Sequence, residues 1–428
     1  MKVKMNIEKI ISFIAIFSVI MGALVAEFGV PSTIFYINDV LIIFALIYTI
    51  KKGKIEVFSN IKFKTYIYLL GLFTFFVIIG VAINLVPINL IIWGIRNTYR
   101  GIIYFIFCVI YLKTSNVDKL FKNFYQLQFV NLLIGIYQFF VLGLRQDLVG
   151  GIFGHGNGNA LNIFCGIITT FYLMKFLNKK EKIGKPIFCI GSSLILAAFA
   201  EEKFLFLEII IILILGLILA KNLGRKALII SLGVLVLVGA FNIFQLYFPE
   251  AAETLLNFEN ILEYASASWE ESYYFPRVGS FKIIADTLMN NNIVKILFGF
   301  GMGNCDTSSF EIFNSEFYQL YGHTHYRWFV HQWTFLELGI VGFVLFISLI
   351  ISVIIYLLKN RKKIEYKYRY YVDTSIIVSI VCIITIWYNN TLKVDTSYIP
   401  YLAMSIGLIV IKDIKNILSE NKDSIRRA

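Results

Sequence analysis

Three histidines and two arginines in one hydrophilic segment, residues 249–331, are the side chains best suited to chemistry. They are His323, His325, His331, Arg277 and Arg327. A histidine takes a hydroxyl proton near neutral pH. An arginine fork binds phosphate oxygens in bidentate fashion, which a lysine cannot do. These residue types predict a basic group working beside a bound phosphate.

Two further arginines lie in PINLIIWGIRNTYRGIIYF. Arg96 and Arg100 are four residues apart, so on a helix they share one face. An arginine within an apolar segment costs roughly 2.5–3.5 kcal/mol on insertion and is a functional hypothesis by default. The pair is therefore a candidate phosphate site. The alternative is that both side chains snorkel to lipid headgroups.

A glycine-rich segment, LRQDLVGGIFGHGNGNALN, places His155 just before a predicted helix that begins near Asn157 or Asn159. Backbone amides at such a helix start can bind an anion. The alternative is a plain turn in which an asparagine caps the helix.

A tight turn is predicted within AAFAEEKFLFLEII. Lys203 is a candidate phosphate ligand there, and Glu208 lies deeper in the following helix. The alternative is a solvated turn in which Glu201, Glu202 and Lys203 balance one another.

An amphipathic helix is predicted after Pro276, with Phe281, Ile284 and Leu288 on one stripe. The histidine spacing at 323, 325 and 331 allows a zinc site to be considered. However, the chain has no HExxH or similar metal spacing, so no metal and no other cofactor is predicted.

The elements that must position these residues are membrane helices. The chain has 428 residues, of which 58% are hydrophobic and only 15% are charged, whereas soluble domains average about 25% charged residues. Apolar stretches of about 20 residues recur along the whole length, and β-barrel alternation is absent. We therefore expect an all-α polytopic membrane protein with one large extracytoplasmic loop that contains short helices.

Twelve spans are predicted, in three regions: helices 1–9 within residues 1–247, the loop at 248–331, and helices 10–12 with a cytoplasmic tail within 332–428. The spans are 10–27, 34–50, 65–86, 92–112, 123–143, 159–174, 186–200, 204–220, 227–247, 332–358, 370–388 and 397–411. The first is read as an uncleaved span rather than a signal peptide.

The distribution of charge sets the predicted orientation. With both termini in the cytoplasm, the predicted inner segments hold 30 of the 39 lysines and arginines, as the positive-inside rule requires. The net charge of +12 is therefore topological, and no nucleic-acid partner is predicted. All four histidines then fall on the outer side of the membrane.

Four segments in this order resemble the bacterial O-antigen ligase and polymerase superfamily over about residues 90–350. They are IRNTYRGIIYFIF, GGIFGHGNGNALNIF, PRVGSFKIIADTLMNNNIVKILFGFGMGN and HQWTFLELGIVGFVLF. The resemblance implies a metal-independent glycosyltransferase in the bacterial plasma membrane. Its donor would be an undecaprenyl-diphosphate-linked glycan.

The resemblance also implies roles for individual residues. Arg277 matches the family's loop arginine, which binds the diphosphate together with other outer-face cations. Lys203 falls where the family has the arginine of an S-R-G segment, so the charge is kept and the fork is lost. A loop histidine would activate the acceptor hydroxyl. In the family this histidine stands farther from the glutamate than His331 stands from Glu337. Both His325 and His331 are therefore candidates.

The expected activity is polymerisation of O-antigen or capsule repeat units, with membrane lipid and a chain-length regulator as possible partners. One alternative is a ligase that moves finished glycan to a lipid A core or another acceptor. Another is a lipid-linked oligosaccharide flippase, which would show internal repeats and functional residues at the bilayer midplane. No clear repeat relates the two halves of the sequence.

Overall fold

A computed structural model describes residues 6–52, 57–266 and 274–427. Every regular element in those ranges is a helix, as the sequence predicts. Residues 1–5 and 53–56 of the predicted inner segments, 267–273 of the predicted loop and the terminal residue 428 lie outside the described residues.

Eighteen α-helices occur in the described residues, several of them in pairs joined by short turns. They are α1 Ile7–Ala26, α2 Ile37–Lys52, α3 Val57–Asn60, α4 Lys64–Ile83, α5 Ile88–Tyr111, α6 Thr114–Phe140, α7 Gly158–Leu177, α8 Gly184–Ala200, α9 Lys203–Leu219, α10 Leu223–Tyr247, α11 Pro249–Leu256, α12 Phe258–Ser266, α13 Ser280–Thr287, α14 Ile293–Phe298, α15 Glu316–Tyr321, α16 Val330–Arg361, α17 Arg369–Thr385 and α18 Tyr398–Arg427.

Within the described ranges, seven helical segments are long and apolar enough to cross a membrane. They are Ile7–Ala26, Ser32–Lys51, Lys64–Ile83, Gly158–Leu177, Leu223–Tyr247, Val330–Arg361 and Tyr366–Thr385. The other predicted spans are also helical, but they are shorter, as in α8 and α9, or carry polar side chains, as in α5 and α6. The chain is thus an all-helical protein of membrane type, and the count of twelve crossings stays a prediction.

The long helices differ in how much of their surface is buried within the bundle. Helix α7 is almost wholly buried, and α17 packs against α7, α16 and α18. In α2, α4 and α10 few side chains are buried, and apolar ones such as Ile43, Ile78 and Leu235 are exposed. Lipid is the solvent that such faces require.

Polar contacts between elements collect at two opposite ends of the bundle. At one end, Glu8 pairs with Lys113, and the backbone N–H of Thr114 donates to Asp413. Further contacts at this end join Asp118 to Lys175, Arg225 to Glu181, and Lys415 to Ile61. All these residues belong to predicted inner segments or lie beside them, so the basic segments meet at a single end.

The described parts of the predicted loop, residues 249–266 and 274–329, form short helices at the opposite end. The predicted amphipathic helix is present as α13, and it begins at Ser280 because Gly279 takes a left-handed conformation. Ile284 is buried, and Phe281 and Leu288 pack around a small apolar cluster with Trp333 and Leu336 of α16. The segment is therefore packed against the start of α16.

Two glycine-containing segments, HQWTFLELGIVGFVLF in α16 and the FGFGMGN turn, meet at one contact. Helix α16 is interrupted at Gly339, whose φ is 63°. A Cβ at that position would lie 2.3 Å from the carbonyl carbon of Leu297. The N–H of Gly301 donates to Glu337 O over 3.0 Å, and that of Phe300 donates to Leu336 O over 2.7 Å. The break in α16 thus accommodates the FGFGMGN turn.

Candidate functional site

The connection between α17 and α18, residues 386–397, lies at the centre of the polar groups on the loop-bearing end. The carbonyl of Ile386 accepts the backbone N–H of His331 over 3.1 Å. The side-chain amide of Asn390 donates to Arg327 O over 3.0 Å. This short connection therefore touches both the start of α16 and the loop in front of it.

The two arginines of α5 are held by carboxylates. Arg96 Nε lies 2.7 Å from Asp39 Oδ2, and its Nη2 lies 2.8 Å from Asp395 Oδ1. Arg100 bonds the same Asp395 oxygen and donates from Nη2 to Lys393 O over 2.9 Å. Burial raises the pKa of Asp395, but Arg100 and Arg96 lower it overall. Both positive charges are thus already partly compensated.

Arg327 joins the same network through Asp306. Its Nη2 lies 2.8 Å from Asp306 Oδ1, and the amide of Asn97 donates to Asp306 Oδ2 over 2.6 Å. The Asn97 Oδ1 atom accepts from Arg96 and Arg100 at 3.0 Å each. Asp306 is fully buried. Three of the four predicted phosphate-binding arginines, Arg96, Arg100 and Arg327, therefore belong to one hydrogen-bonded group, and Arg277 lies outside it.

A buried ion pair supports this group from α16. Lys393 Nζ lies 2.7 Å from Glu337 Oε2, and neither residue is exposed to solvent. Glu337 Oε1 accepts the N–H of Gly303 over 2.9 Å. The Trp333 ring lies 4.1 Å from Lys393 Nζ and 4.4 Å from the Arg327 guanidinium carbon. Breaking one partner of a buried pair is strongly destabilising, so the pair fixes the α17–α18 connection against α16.

Two open cavities, each of about 400 Å³, adjoin across Phe35, Val394 and Asp395, which line both. One cavity is lined by arginines and aromatic rings: Arg96, Arg100, Arg327, Tyr36, Trp93 and Trp333. The other is lined by Gly156, Asn157, Asn159, Phe153, Trp328 and Asn390. The structure thus brings five predicted site residues around one pair of cavities.

The predicted anion site at the start of α7 is occupied by a carboxyl group. A Cβ at Gly158 would lie 2.0 Å from Glu202 Oε1, so the Glu202 side chain lies against the first turn of α7. Asn157 is at the N-cap position, but its amide donates back to Phe153 O over 2.9 Å instead of capping the helix. Asn159 contributes its carbonyl, which accepts from Thr391 Oγ1 over 3.3 Å.

The turn between α8 and α9 holds Lys203, with Glu201 in a left-handed conformation. Lys203 Nζ lies 2.9 Å from Glu201 Oε1. Burial, followed by the charge of Asp147, raises the pKa of Glu202 to about 8, whereas Arg277 and Lys203 act to lower it. Burial and then Glu201 also raise the pKa of Asp147. Lys203 and Arg277 therefore act on one group of carboxyls.

Arg277 lies beside His331, with the Phe329 ring next to both. The Arg277 guanidinium carbon is 5.0 Å from the centre of that ring and 5.1 Å from the centre of Tyr388. The rings of Phe329 and His331 are 5.8 Å apart. A cation and a potential base thus share one corner formed by the loop and the α17–α18 connection.

His331 is held by two hydrogen bonds and is only 1% exposed. Its Nδ1 lies 3.1 Å from Ile386 O, and its Nε2 lies 3.1 Å from Ser280 Oγ. A carbonyl can only accept, so Nδ1 carries a proton and Nε2 accepts from the Ser280 hydroxyl in the neutral ring. His331 therefore presents its acceptor nitrogen to the hydroxyl that begins α13.

The other predicted histidines have different surroundings. His325 stacks on Trp328 at 4.1 Å, and burial followed by the charge of His323 lowers its pKa. His155 is 39% exposed, with Nε2 3.1 Å from Glu27 Oε1. Among the described residues, no three His, Cys, Asp or Glu side chains are grouped as metal ligands.

Several members of the site were not predicted from the sequence, chiefly Asp39, Asp306, Asp395, Lys393 and Ser280. A usable signal was present, because Lys393 and Asp395 lie on the charge-poor side of the membrane by the predicted topology. Charges there that do not set topology need a partner or a function. The partners themselves come from distant parts of the chain, so the spacing of residues does not reveal them.

No protein-family model matches the sequence, and no curated protein matches it.

Proposed function

We propose that this chain is a membrane glycosyltransferase that polymerises undecaprenyl-diphosphate-linked oligosaccharide repeat units. Its products would be O-antigen or capsule, assembled on the outer face of a bacterial plasma membrane. The observation that carries the proposal is the corner formed by His331 and Arg277. It combines a neutral imidazole whose Nε2 accepts a hydroxyl proton with a guanidinium next to it.

The chemistry required of such a site is limited. An acceptor sugar hydroxyl attacks the anomeric carbon of the donor, and the bond from that carbon to the phosphate oxygen breaks. The electron pair leaves with the diphosphate, where Arg277 and Lys203 stabilise the developing negative charge. The hydroxyl proton passes to His331 Nε2. The Ser280 hydroxyl is hydrogen-bonded to that nitrogen. It therefore either relays the proton or is displaced by the acceptor hydroxyl.

The two adjoining cavities suit the glycan part of the substrates. Aromatic rings stack on sugar faces, and the cavity around Arg96 and Arg327 has Tyr36, Trp93 and Trp333 on its walls. The carboxylates that pair with the arginines give this region both donors and acceptors for sugar hydroxyls. Arg96, Arg100 and Arg327 then orient the sugars. The same arginines also bind the diphosphate where it lies close to Asp395.

The proposed orientation is supported by the distribution of charge between the two ends of the bundle. The basic segments meet at the end opposite to the candidate site, which supports cytoplasmic termini and a site outside the cytoplasm by the positive-inside rule. Twelve crossings, with the segment 249–331 as an extracytoplasmic loop, complete this topology. A chain-length regulator would approach from the same outer side.

The test in cells is deletion of the gene in its host, followed by complementation with wild type, Arg277→Ala or His331→Ala. Surface glycan is then separated on a gel. Single repeat units on the acceptor, in the deletion and the Arg277→Ala strain, support a polymerase. Long glycan retained on the carrier lipid identifies a ligase instead. Repeat units trapped on the inner leaflet identify a flippase, and an unchanged ladder in both variants eliminates the proposed site.

A further inference from the structure

A third cavity, of about 750 Å³, lies at the basic end of the bundle, and no candidate site residue lines it. It is formed by the start of α4, the last turns of α16 and the middle of α18. Its apolar walls include Leu69, Ile351 and Ile355. Ile351 and Ile355 are 39% and 46% exposed, so these walls continue into the outer face of the bundle.

Four lysines line this cavity at its polar end: Lys62, Lys359, Lys363 and Lys415. No carboxylate lines it, and within the described residues none of the four forms an ion pair. Lys415 Nζ instead donates to Ile61 O over 2.9 Å. Burial, followed by the charges of Lys62 and Lys363, lowers the pKa of Lys415. Among the described residues, the cavity thus concentrates positive charge without a counter-charge.

Other cations at the same end are arranged differently. Lys175 lies 3.3 Å from Asp118, and Lys185 lies 2.9 Å from Glu181. Topogenic charge alone requires only that lysines lie at this end, whether they are paired or separate. Four lysines that converge on one cavity, with no ion pair to any described carboxylate, are a more specific arrangement.

The cavity also offers hydrogen-bonding groups beside its apolar walls. Thr65, Ser348, Tyr356 and Asn360 line it together with the lysines. A ligand that matches all of these features carries a negative group at one end, polar atoms next to it and hydrocarbon beyond. Free phosphate matches only the lysines, and it leaves the apolar walls without a partner.

We propose that this cavity is a binding site for an anionic phospholipid of the inner leaflet. The lipid phosphate lies among the four lysines, and the first carbons of its acyl chains lie along Leu69, Ile351 and Ile355. The site is separate from the proposed glycosyl transfer, so its test does not depend on that activity. Basic pockets between helices at the cytoplasmic side favour such headgroups.

The experiment is native mass spectrometry of the full-length protein in detergent. Dioleoyl phosphatidylglycerol is titrated against dioleoyl phosphatidylcholine. Retention of phosphatidylglycerol in preference to phosphatidylcholine is expected. Each lysine near an anionic lipid contributes about fivefold in affinity, so Lys359→Gln/Lys363→Gln lowers the affinity about 25-fold.

The matched control is Lys180→Gln/Lys182→Gln, which removes two exposed lysines at the same end outside the cavity. It keeps the wild-type affinity. A second cavity variant, Lys62→Gln/Lys415→Gln, covers the case in which the first one unfolds. Equal retention of the two lipids, or wild-type binding by both cavity variants, would overturn the proposal. Displacement of the lipid by millimolar glycerol phosphate would also overturn it, because the site would then bind phosphate alone.

Discussion

Asp395 Oδ1 lies 2.8 Å from Arg96 Nη2, so a carboxylate from the α17–α18 connection neutralises an arginine of α5. Arg100 bonds the same oxygen. Without Asp395, two guanidinium groups would face each other with Asp39 as their main remaining carboxylate. The position of this one aspartate therefore determines how much positive charge the arginine-lined cavity presents.

We expect Asp395→Asn to lower the free energy of unfolding by about 2 kcal/mol, because it removes the partner of two largely buried cations. Thermal unfolding of the purified protein in detergent measures the change. The control is Glu365→Gln, which breaks an ion pair with Lys367 whose side chains are 65% and 50% exposed. An exposed pair contributes less than about 1 kcal/mol. Equal effects of the two variants would show that Asp395 has no such structural role.

The break in α16 lies at Gly339. Gly339→Ala should destabilise the fold by about 3–5 kcal/mol, because a Cβ there meets the backbone of Leu297 and the residue has a positive φ. Gly279→Ala is the matched control. Its φ is also positive, at 82°, but an added Cβ meets nothing within 4 Å. We expect it to cost only about 1–2 kcal/mol in the same unfolding assay. Equal losses of stability in the two variants would disprove the close contact between α14 and α16.

Glu202 should give stability a distinctive pH dependence. Its pKa is raised to about 8 in the folded state, chiefly by burial, whereas a carboxyl in the unfolded chain has a pKa of about 4.3. Between these values the folded state binds the extra proton, so stability falls as pH rises toward 8. One pKa unit corresponds to about 1.4 kcal/mol.

Glu202→Gln removes this titration. The difference in melting temperature between variant and wild type should therefore widen from pH 5 to pH 8, with the variant the more stable at pH 8. Parallel pH curves for the two proteins would be incompatible with a protonated, buried Glu202.

Ser280 is expected to act as a positioning residue for His331, because its hydroxyl donates to the imidazole Nε2. Ser280→Ala should lower the rate of glycan polymerisation about tenfold and shift its acidic limb, since the imidazole loses a fixed partner. Ser280→Thr retains a hydroxyl and should restore most of the rate. A purely structural serine would leave the pH profile unchanged in both variants.

The fold was predictable from the sequence to the extent that local pattern determines it. Apolar length predicted the helices, the Gly279 and Ser280 pair allowed α13 to be placed within a few residues, and the α8–α9 turn followed from Glu201, Glu202 and Lys203. The number of membrane crossings was less predictable. Helices such as α5 carry arginines, and composition alone does not show whether such a helix crosses the membrane.

The candidate site was less predictable because its contacts join residues far apart in the chain. Arg96 was identified from its unusual position, but its partners Asp39 and Asp395 lie 57 and 299 residues away. The start of α7 had the sequence of an anion site, yet the Glu202 carboxyl from a different turn lies against it. Such pairings depend on which helices pack together, and no single stretch of sequence contains that information.

In the proposed reaction, His331 and Arg277 act on a lipid-linked glycan. The direct measurement uses the purified protein in vesicles with undecaprenyl-diphosphate-linked repeat units from the host, and follows glycan length on a gel. We expect wild type to lengthen the glycan, His331→Ala to lose about 10²–10⁴ of the rate and Arg277→Ala about 10²–10³. His323→Ala, an exposed neighbour, should retain activity. No lengthening by folded wild-type protein, or full activity in both site variants, would contradict the account.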